Sequence, residues 1–529
     1  MKLLPYLLFA LLLQESYAQV KISGRVIDVS GDPIPGVNVF LADTYDGTST
    51  DANGRFEFET PQQGKQLLTA RFIGYKEFIQ EVQIANKNYE ITIKLVEAIN
   101  ELQAVTITAG AFTASDVARR TVFRALDIAT TAGATADIAG ALNTLPGTQK
   151  VGESGRLFVR GGDGNETRTF IDGLVVLDAY KPSAPNTPSR GRFLPFMFKG
   201  TSFSTGGYSA EYGQALSSAL VLDSKDKGDQ TRTDFGILSV GGDIGHTQVW
   251  NQGSLGGKVQ YTNLRPYVKL ISQEVDWIDA PVSIEASAAF RQEVGKHGLF
   301  KFYGNFNRAN FSLYQHNIDD QNQKNRYELT NEYQYINGFY KSRLNTNWSA
   351  QGGISFTCID DKSQLENNNV DEVQKGLHAK AVVDGSLSEH VELRTGIEVI
   401  SRTYDQSFNP DATENRYLFH EVITAAFVES DLYASNRFVV RAGGRLEHVN
   451  LTQQISLDPR ISLAYKLGAD GQFSVAYGRF RQSVKDEFIK LDPLLSAEKA
   501  SHYIFNYQYV KDRRTFRMET YYKAYSDLV

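Results

Sequence analysis

A single cysteine, Cys358, occurs in 529 residues, so no disulfide can form within the chain. A disulfide-stapled scaffold is excluded, and a lone thiol reads first as a small packed apolar residue. Tryptophan and methionine are equally scarce, three of each, and there are 14 prolines. After residue 18 no apolar run approaches the ~20 residues that a membrane-spanning helix needs. A helical membrane protein and a collagen are therefore excluded. Neither charge predominates: 55 basic residues face 61 acidic ones, a formal net charge of −6, which gives no footing to a nucleic-acid binder.

What is abundant is aromatic and glycine, with 31 Phe, 27 Tyr and 44 Gly. Aromatic side chains suit a pleated surface and glycine serves its turns. At roughly 100 to 200 residues per domain the length fits about three or four domains. The expectation is a mainly β, multi-domain chain.

Residues 1–18 read as a secretory signal peptide. Lys2 is its charged start, Leu3 to Leu13 its apolar run, and Ser16-Tyr17-Ala18 a small-x-small cleavage site. Gln14 and Glu15 end the run too early for a membrane anchor. With no later membrane helix, an exported chain that lives in a membrane must be a closed β-barrel, the other structure that satisfies its whole backbone there.

Residues 19–96 show about seven short strand signals. Turn residues separate them, among them Gly31-Asp32-Pro33-Ile34-Pro35-Gly36 and Asn53-Gly54. Asn-Gly suits a hairpin turn in which both residues have positive φ. Gly24-Arg25-Val26-Ile27-Asp28, Pro35-Gly36-Val37-Asn38-Val39 and Thr50-Asp51-Ala52-Asn53-Gly54-Arg55-Phe56 resemble the carboxypeptidase-regulatory-like domain, which implies a small transthyretin-like β-sandwich and no peptidase activity. Asp43, Asp46, Asp51 and Asn53 lack the EF-hand spacing and its terminal Glu, so turn chemistry is the reading preferred over calcium.

Residues 111–225 mix helix and strand. Periodicity predicts helices over Ser115–Ala129 and Asp137–Leu145, the second stopped by Pro146-Gly147. Strands Arg156–Arg160 and Thr167–Ile171 flank the loop Gly161-Gly162-Asp163-Gly164-Asn165. That loop lacks the Lys-Ser/Thr ending of a phosphate cradle. There is no Gly-x-Ser-x-Gly, and all eight histidines lie beyond residue 225 without metal-ligand spacing. No catalytic, cofactor or metal residues are assigned, and no enzyme is expected.

Four segments of this region, in order, resemble the plug of TonB-dependent outer-membrane receptors. They are Ala141-Leu142-Asn143-Thr144-Leu145-Pro146-Gly147-Thr148, Leu157-Phe158-Val159-Arg160-Gly161-Gly162, Phe170-Ile171-Asp172-Gly173 and the run from Gly206 to Ser218 that holds Glu211-Tyr212-Gly213. Within the linker 97–110, Glu101-Leu102-Gln103-Ala104-Val105-Thr106-Ile107-Thr108 resembles the TonB box, the segment pulled by the inner-membrane energy protein; a plain linker strand is the competing reading. In the proline-rich window Tyr180–Lys199, a loop near the apex is expected. Its Arg190, Arg192, Phe193 and Phe196 either contact substrate or brace the plug against its wall.

Residues 226–529 alternate with period two. Phe300, Phe302 and Phe306 oppose Lys301, Asn305 and Asn307, and Phe438, Val440 and Leu446 oppose Arg441, Arg445 and Glu447. An antiparallel transmembrane β-barrel shows this pattern, apolar toward lipid and polar toward the lumen. Gln315–Arg326 and Asp360–Val373 read as solvated outer loops. The residues after Ser224 suffice for roughly 12 to 16 strands, fewer than the ~22 of plugged barrels. The end at Val529 also departs from the aromatic terminus usual in the family, so the barrel is expected to be incomplete.

The resemblance implies an outer-membrane receptor that takes up a scarce nutrient, driven by TonB and the proton motive force. Outer-membrane lipid, TonB, an unidentified small-molecule, glycan or peptide substrate and a surface lipoprotein are the partners it suggests. The alternative is an exported β-rich adhesin or glycan-binding protein without transport.

Overall fold

The computed structural model describes residues 20–95 and 121–529, except 29–30, 35, 43, 45, 52, 73–77, 86, 124, 135–136, 153, 184–189, 229, 273, 318–319, 321, 367, 389, 410–414, 436, 469–470 and 512–513. The signal segment 1–18, the stretch Glu101–Thr108, Asp43, Pro185 and Pro188 lie outside the described residues. The chain divides into two compact units, one holding the N-terminal sandwich and the other the plug and most of the wall.

In the first unit, alternation sorts seven strands into two sheets. They are β1 (Val20–Ile27), β2 (Asn38–Leu41), β3 (Gly47–Ser49), β4 (Arg55–Thr60), β5 (Gly64–Arg71), β6 (Phe78–Ile84) and β7 (Tyr89–Lys94). The orders are β4-β1-β7 and β3-β2-β5-β6. Val20, Ile22 and Val26 face inward with Phe56, Phe58, Val39, Leu41, Leu68 and Ile93 to form one core. The Asn53-Gly54 expectation needs correcting. Gly54 has φ +71°, but Asn53 is not among the residues with positive φ. The two residues also join β3 and β4, which belong to different sheets. What shapes this turn is the Asp51 carboxylate, which accepts the backbone N–H groups of Asn53 and Arg55, each at 2.8 Å.

The plug is a five-stranded sheet of order β12-β11-β14-β13-β8, with a separate pair β9-β10. Its strands are β8 (Thr121–Phe123), β9 (Thr148–Gln149), β10 (Phe158–Val159), β11 (Thr167–Ile171), β12 (Leu174–Val175), β13 (Phe198–Ser204) and β14 (Ser218–Ser224). The helix expected over Ser115–Ala129 is replaced in part by β8, and α1 covers only Ala125–Thr130. Thr121, Val122 and Phe123 suit a strand, and pairing with Phe203, Ser202 and Thr201 overrides their helical periodicity. The second helix, α2 (Ile138–Leu142), begins where expected, because the Asp137 carboxylate accepts the Gly140 N–H at 2.7 Å. It ends earlier, where Thr144 donates its hydroxyl to the Ala141 carbonyl at 2.7 Å. The window 180–199 is not wholly loop: Tyr180 bridges Gly191, and Pro195–Met197 forms one 3-10 turn.

The wall is a single antiparallel sheet of 15 strands in sequence order. It begins with β15 (Arg232–Leu238), β16 (Gly241–Trp250), β17 (Gly253–Asn263), β18 (Asp276–Val294) and β19 (Gly298–His316). It continues through β20 (Lys324–Arg343), β21 (Trp348–Leu365), β22 (Asn368–Ser388), β23 (Val391–Asn409) and β24 (Asn415–Ser435). The last five are β25 (Phe438–Val449), β26 (Gln454–Leu467), β27 (Gly471–Gln482), β28 (Glu498–Lys511) and β29 (Arg514–Ser526). Lys301, Tyr303, Asn305 and Asn307 are buried inward, while Ile244, Ile284, Ile336, Ile354, Leu377, Ile397 and Leu446 are exposed on the outside. So large an exposed apolar face suits lipid.

Of the two expected outer loops, Asp360–Val373 is nearly all strand, and Gln315–Arg326 is strand at both ends with a connection over 317–323. β21 and β22 continue to the pair Leu365↔Asn368, and β19 and β20 to His316↔Lys324. Backbone pairing does not require an apolar face, so the ladder runs on beyond the greasy belt into wet sequence. One end carries short turns such as 251–252, 295–297 and 344–347, and the other longer connections such as 264–275 and 483–497. Short turns mark the periplasmic end and longer loops the outer end.

Candidate functional site

The chemistry of this molecule is concentrated at the seam between plug and wall. Two sequence motifs supply the plug side. Asp172-Gly173 is the two-residue turn between β11 and β12, with φ +49° and +80°. An Asp-Gly pair with both φ positive is the mirror-image turn that matches strand twist. The Asp172 carboxylate accepts the Ser224 N–H at 3.1 Å and lies 3.5 Å from Lys301 Nζ. Burial opposes ionisation of this carboxyl, but Lys301, Arg291 and the Ser224 bonds hold it below the usual carboxylate range.

The second motif, Tyr208 to Ser218, is a loop whose successive residues each engage the seam. Ser209 Oγ and the Ala210 N–H donate to the two carboxylate oxygens of Glu429, both at 2.9 Å. Glu211, buried, pairs with Arg394 at 2.9 Å and Lys380 at 3.2 Å. Lys380 also sits over the Tyr212 ring, 5.0 Å from its centroid. Gly213 is where Arg445 presses against the loop: a Cβ there would lie 2.4 Å from Arg445 Nε, so any larger residue would displace the guanidinium. Arg445 in turn pairs with Glu398 and Glu447. Gln214 donates to Glu447 at 2.5 Å, and Ser217 donates to the Val159 carbonyl at 2.7 Å. Behind the loop, Arg460 lies over both the Tyr208 and Phe480 rings, which contact each other, and donates to the Tyr212 carbonyl at 2.9 Å. His378 accepts the Val175 N–H on Nδ1 at 2.9 Å, which leaves its Nε2 hydrogen toward Glu398 at 3.3 Å.

Arg160, Gly161 and Gly162 form the turn after β10, with Arg160 at φ +52° and the Gly162 N–H donating to the Val159 carbonyl at 3.0 Å. Arg160 pairs with Glu519 and lies over the Tyr521 ring.

The proline-rich window separates its four residues. Arg190 is exposed and Phe196 is 53% exposed. Arg192 is buried: it donates to Asn307 at 3.3 Å, Asn331 at 3.0 Å and Asp178 at 3.2 Å, and its guanidinium lies 4.1 Å from the Tyr333 ring centroid. Phe193 packs among Phe198, Tyr303, Tyr333 and Tyr335. Arg192 and Phe193 therefore brace the plug against β19 and β20, the second of the two roles expected for them. Their side chains have no free surface to offer.

At the periplasmic end Asp226 gathers Lys301 at 2.6 Å, Lys199 at 2.7 Å and Lys341 at 3.3 Å. Burial resists the charge on Asp226, and the three ammonium groups pull its carboxyl far below the ordinary range. Lys380, Arg394, Glu398, Arg445 and Asp226 were not singled out from sequence as seam residues. For the four wall-strand residues the available signal was a charged side chain at an inward-facing position of an alternating strand; Asp226, in the connection between β14 and β15, offered none. Among the described residues no group of three or more His, Cys, Asp or Glu side chains is placed to hold a metal ion.

Residues 22–107 match the family model of the CarboxypepD_reg-like domain and residues 113–219 that of the TonB-dependent Receptor Plug Domain. Among curated proteins, a TonB-dependent receptor of Formosa agariphila is 36% identical over 90 residues, which are 17% of this chain and 8% of that protein. The TonB-dependent receptor SusC of Bacteroides thetaiotaomicron is 31% identical over 87 residues, 16% of this chain and 8% of that protein. The match thus spans less than a tenth of either relative. Among solved structures, a variant of the ferric enterobactin receptor PfeA of Pseudomonas aeruginosa superposes with a TM-score of 0.61 at 12% identity, covering 78% of this chain and 72% of that one. The outer-membrane transporter YddB of Escherichia coli gives 0.57 at 10% identity over 76% and 69%. Identities this low establish the fold alone, that of a wall strand sheet around a plug. Domain models, relatives and fold together show a CarboxypepD_reg-like domain followed by a TonB-dependent receptor plug domain, in a chain whose plug and wall share the fold of the outer-membrane receptors named above.

Proposed function

We propose that this receptor imports a scarce nutrient across the outer membrane, and that a pull by TonB on Glu101–Thr108, driven by the proton motive force, rearranges its plug. The observation that carries the reading is the character of the seam. The motif loop from Tyr208 to Ser218 is held by ion pairs and hydrogen bonds to the wall. Polar contacts of this kind can be exchanged for water as a plug moves, while the apolar part of the seam, Phe193 among Tyr303, Tyr333 and Tyr335 and Tyr208 against Phe480, resists wetting and keeps the plug seated at rest. The order of elements supports the same direction of force. β8 is the first described plug strand after the linker, it lies at the edge of its sheet, and it pairs with β13 through three residues. A pull from the N-terminal side meets this small attachment before the central strands β11 and β14.

Deletion of residues 101–108 tests the coupling: uptake should cease while surface binding persists, and undiminished uptake would refute it. An adhesin without a barrel would be released from membranes by salt or alkali, and a plugged wall would stay with the lipid fraction. The exposed outward residues Ile336, Ile354, Ile397 and Leu446 favour the second outcome.

A further inference from the structure

The connection between β27 and β28, residues 483–497, belongs to the outer end of the wall, yet it is folded down onto the plug. Its short helix α3 (Asp486–Ile489) buries Ile489, which joins Val484, Tyr404 and Phe419 in one apolar cluster on the lumen side of β23 and β24. Polar anchors secure the segment on the wall. Asp486 pairs with Arg402, Ser483 Oγ donates to Glu421 at 2.8 Å, and Lys490 donates to Gln406 at 2.8 Å.

A second set reaches the plug. Lys485 pairs with Asp163 at 2.8 Å, the Ser483 N–H donates to Gln214 Oε1 at 2.9 Å, and Gln482, the last residue of β27, donates to the Asn165 carbonyl at 3.0 Å. Gln214 is the informative member. It is buried, it holds a left-handed backbone at φ +56°, and its amide joins Ser483 on one side to Glu447 of the wall on the other. A non-glycine residue keeps such a conformation only where its surroundings impose it. Its two neighbours, Gly213 and Ala215, belong to the same motif loop that carries Glu211.

We propose that Gln482–Leu495 is a strap which ties the outer mouth of the wall to the Gly213-Gln214-Ala215 motif, so that the plug loosens only after the strap has lifted. Leu491 and Leu494 at its tip are exposed, so the outer side of the strap is open to the stimulus that lifts it. The identity of that stimulus rests on the importer reading; the attachment of strap to motif does not.

The test needs no known substrate. In the full-length receptor, hydrogen exchange is followed in two variants. One replaces residues 483–495 by a Gly-Ser linker. The other carries Asp163→Cys and Lys485→Cys in a Cys358→Ser background and is compared oxidised and reduced. The strap predicts at least tenfold faster exchange at residues 211–217 in the linker variant, with wall strands β19 and β20 unchanged, and slower exchange at 211–217 on oxidation. Unaltered exchange at 211–217 in the linker variant, a rise shared equally by β19 and β20, or failure of the two cysteines to cross-link would each overturn it. Uptake lost on deletion of 101–108 together with unaltered exchange here would retain the importer and reject the strap.

Discussion

Replacing Arg192 with methionine should release the plug from β19 and β20 without unfolding the wall. The guanidinium donates hydrogen bonds to Asn307, Asn331 and Asp178 and stacks on Tyr333. A hydrogen bond to a charged group contributes about 1.5–3 kcal/mol and a desolvated cation–π contact about 2 kcal/mol. The terms do not simply add. Asp178 retains Arg156 at 3.5 Å and is partly open to water, so it can rehydrate. Asn307 and Asn331 are fully buried, but the Asn331 amide keeps its bond to Asp361 at 2.5 Å. Methionine also refills much of the apolar volume. The expected net loss is about 3–5 kcal/mol, the usual cost of removing one partner from a buried charged contact. At about 1.4 kcal/mol per decade, hydrogen-exchange protection of β13 should fall by roughly two to four decades when the plug opens locally. Tyr333→Leu in the same background should show coupling of about 0.5–2 kcal/mol, since the two residues share the stacking contact. Less than a tenfold change at β13, or an equal loss across the wall strands, would show that Arg192 is not the brace described here.

Other perturbations probe separate parts of the seam. Gly213→Ala should push Arg445 off Glu398 and Glu447, costing about 3 kcal/mol or more because buried charges lose their partners; thermal melting of the purified receptor should show a lower first transition. Asp172 has a folded-state pKa below its unfolded value, so its contribution is present above the unfolded range near ~4 and is lost as pH falls through the depressed value. Exchange protection at β11 and β14 should therefore weaken on acidification, and Asp172→Asn should flatten that dependence; an unchanged slope in the variant would assign the effect elsewhere. In the sandwich, Asp51→Ala removes the acceptor of two backbone N–H groups at an exposed turn, and urea unfolding of the N-terminal unit should report a loss of about 1 kcal/mol.

Sequence patterns were readable wherever the physics is local. The strands of the sandwich, the helix start at Asp137 and the inward charges Arg445 and Glu447 follow from periodicity and turn residues, all of which act within a few residues. Local reasoning failed at three places for identifiable causes. Thr121–Phe123 carry helical periodicity but pair with β13. Asn53-Gly54 look like a hairpin turn but cross between sheets under the control of Asp51. Asp360–Val373 look like a loop, yet their backbone continues the ladder.

Composition and order of motifs alone determined that the chain is mainly β and that a two-sided wall follows a glycine-rich plug. Which charges meet was decided only by the tertiary structure. Glu211 and Arg394 are 183 residues apart in sequence, and Ala210 and Glu429 are 219 apart. An alternating strand states which side chains face the lumen, but the plug residue each one meets depends on strand register and on where the plug sits, and neither is encoded within any short stretch of chain.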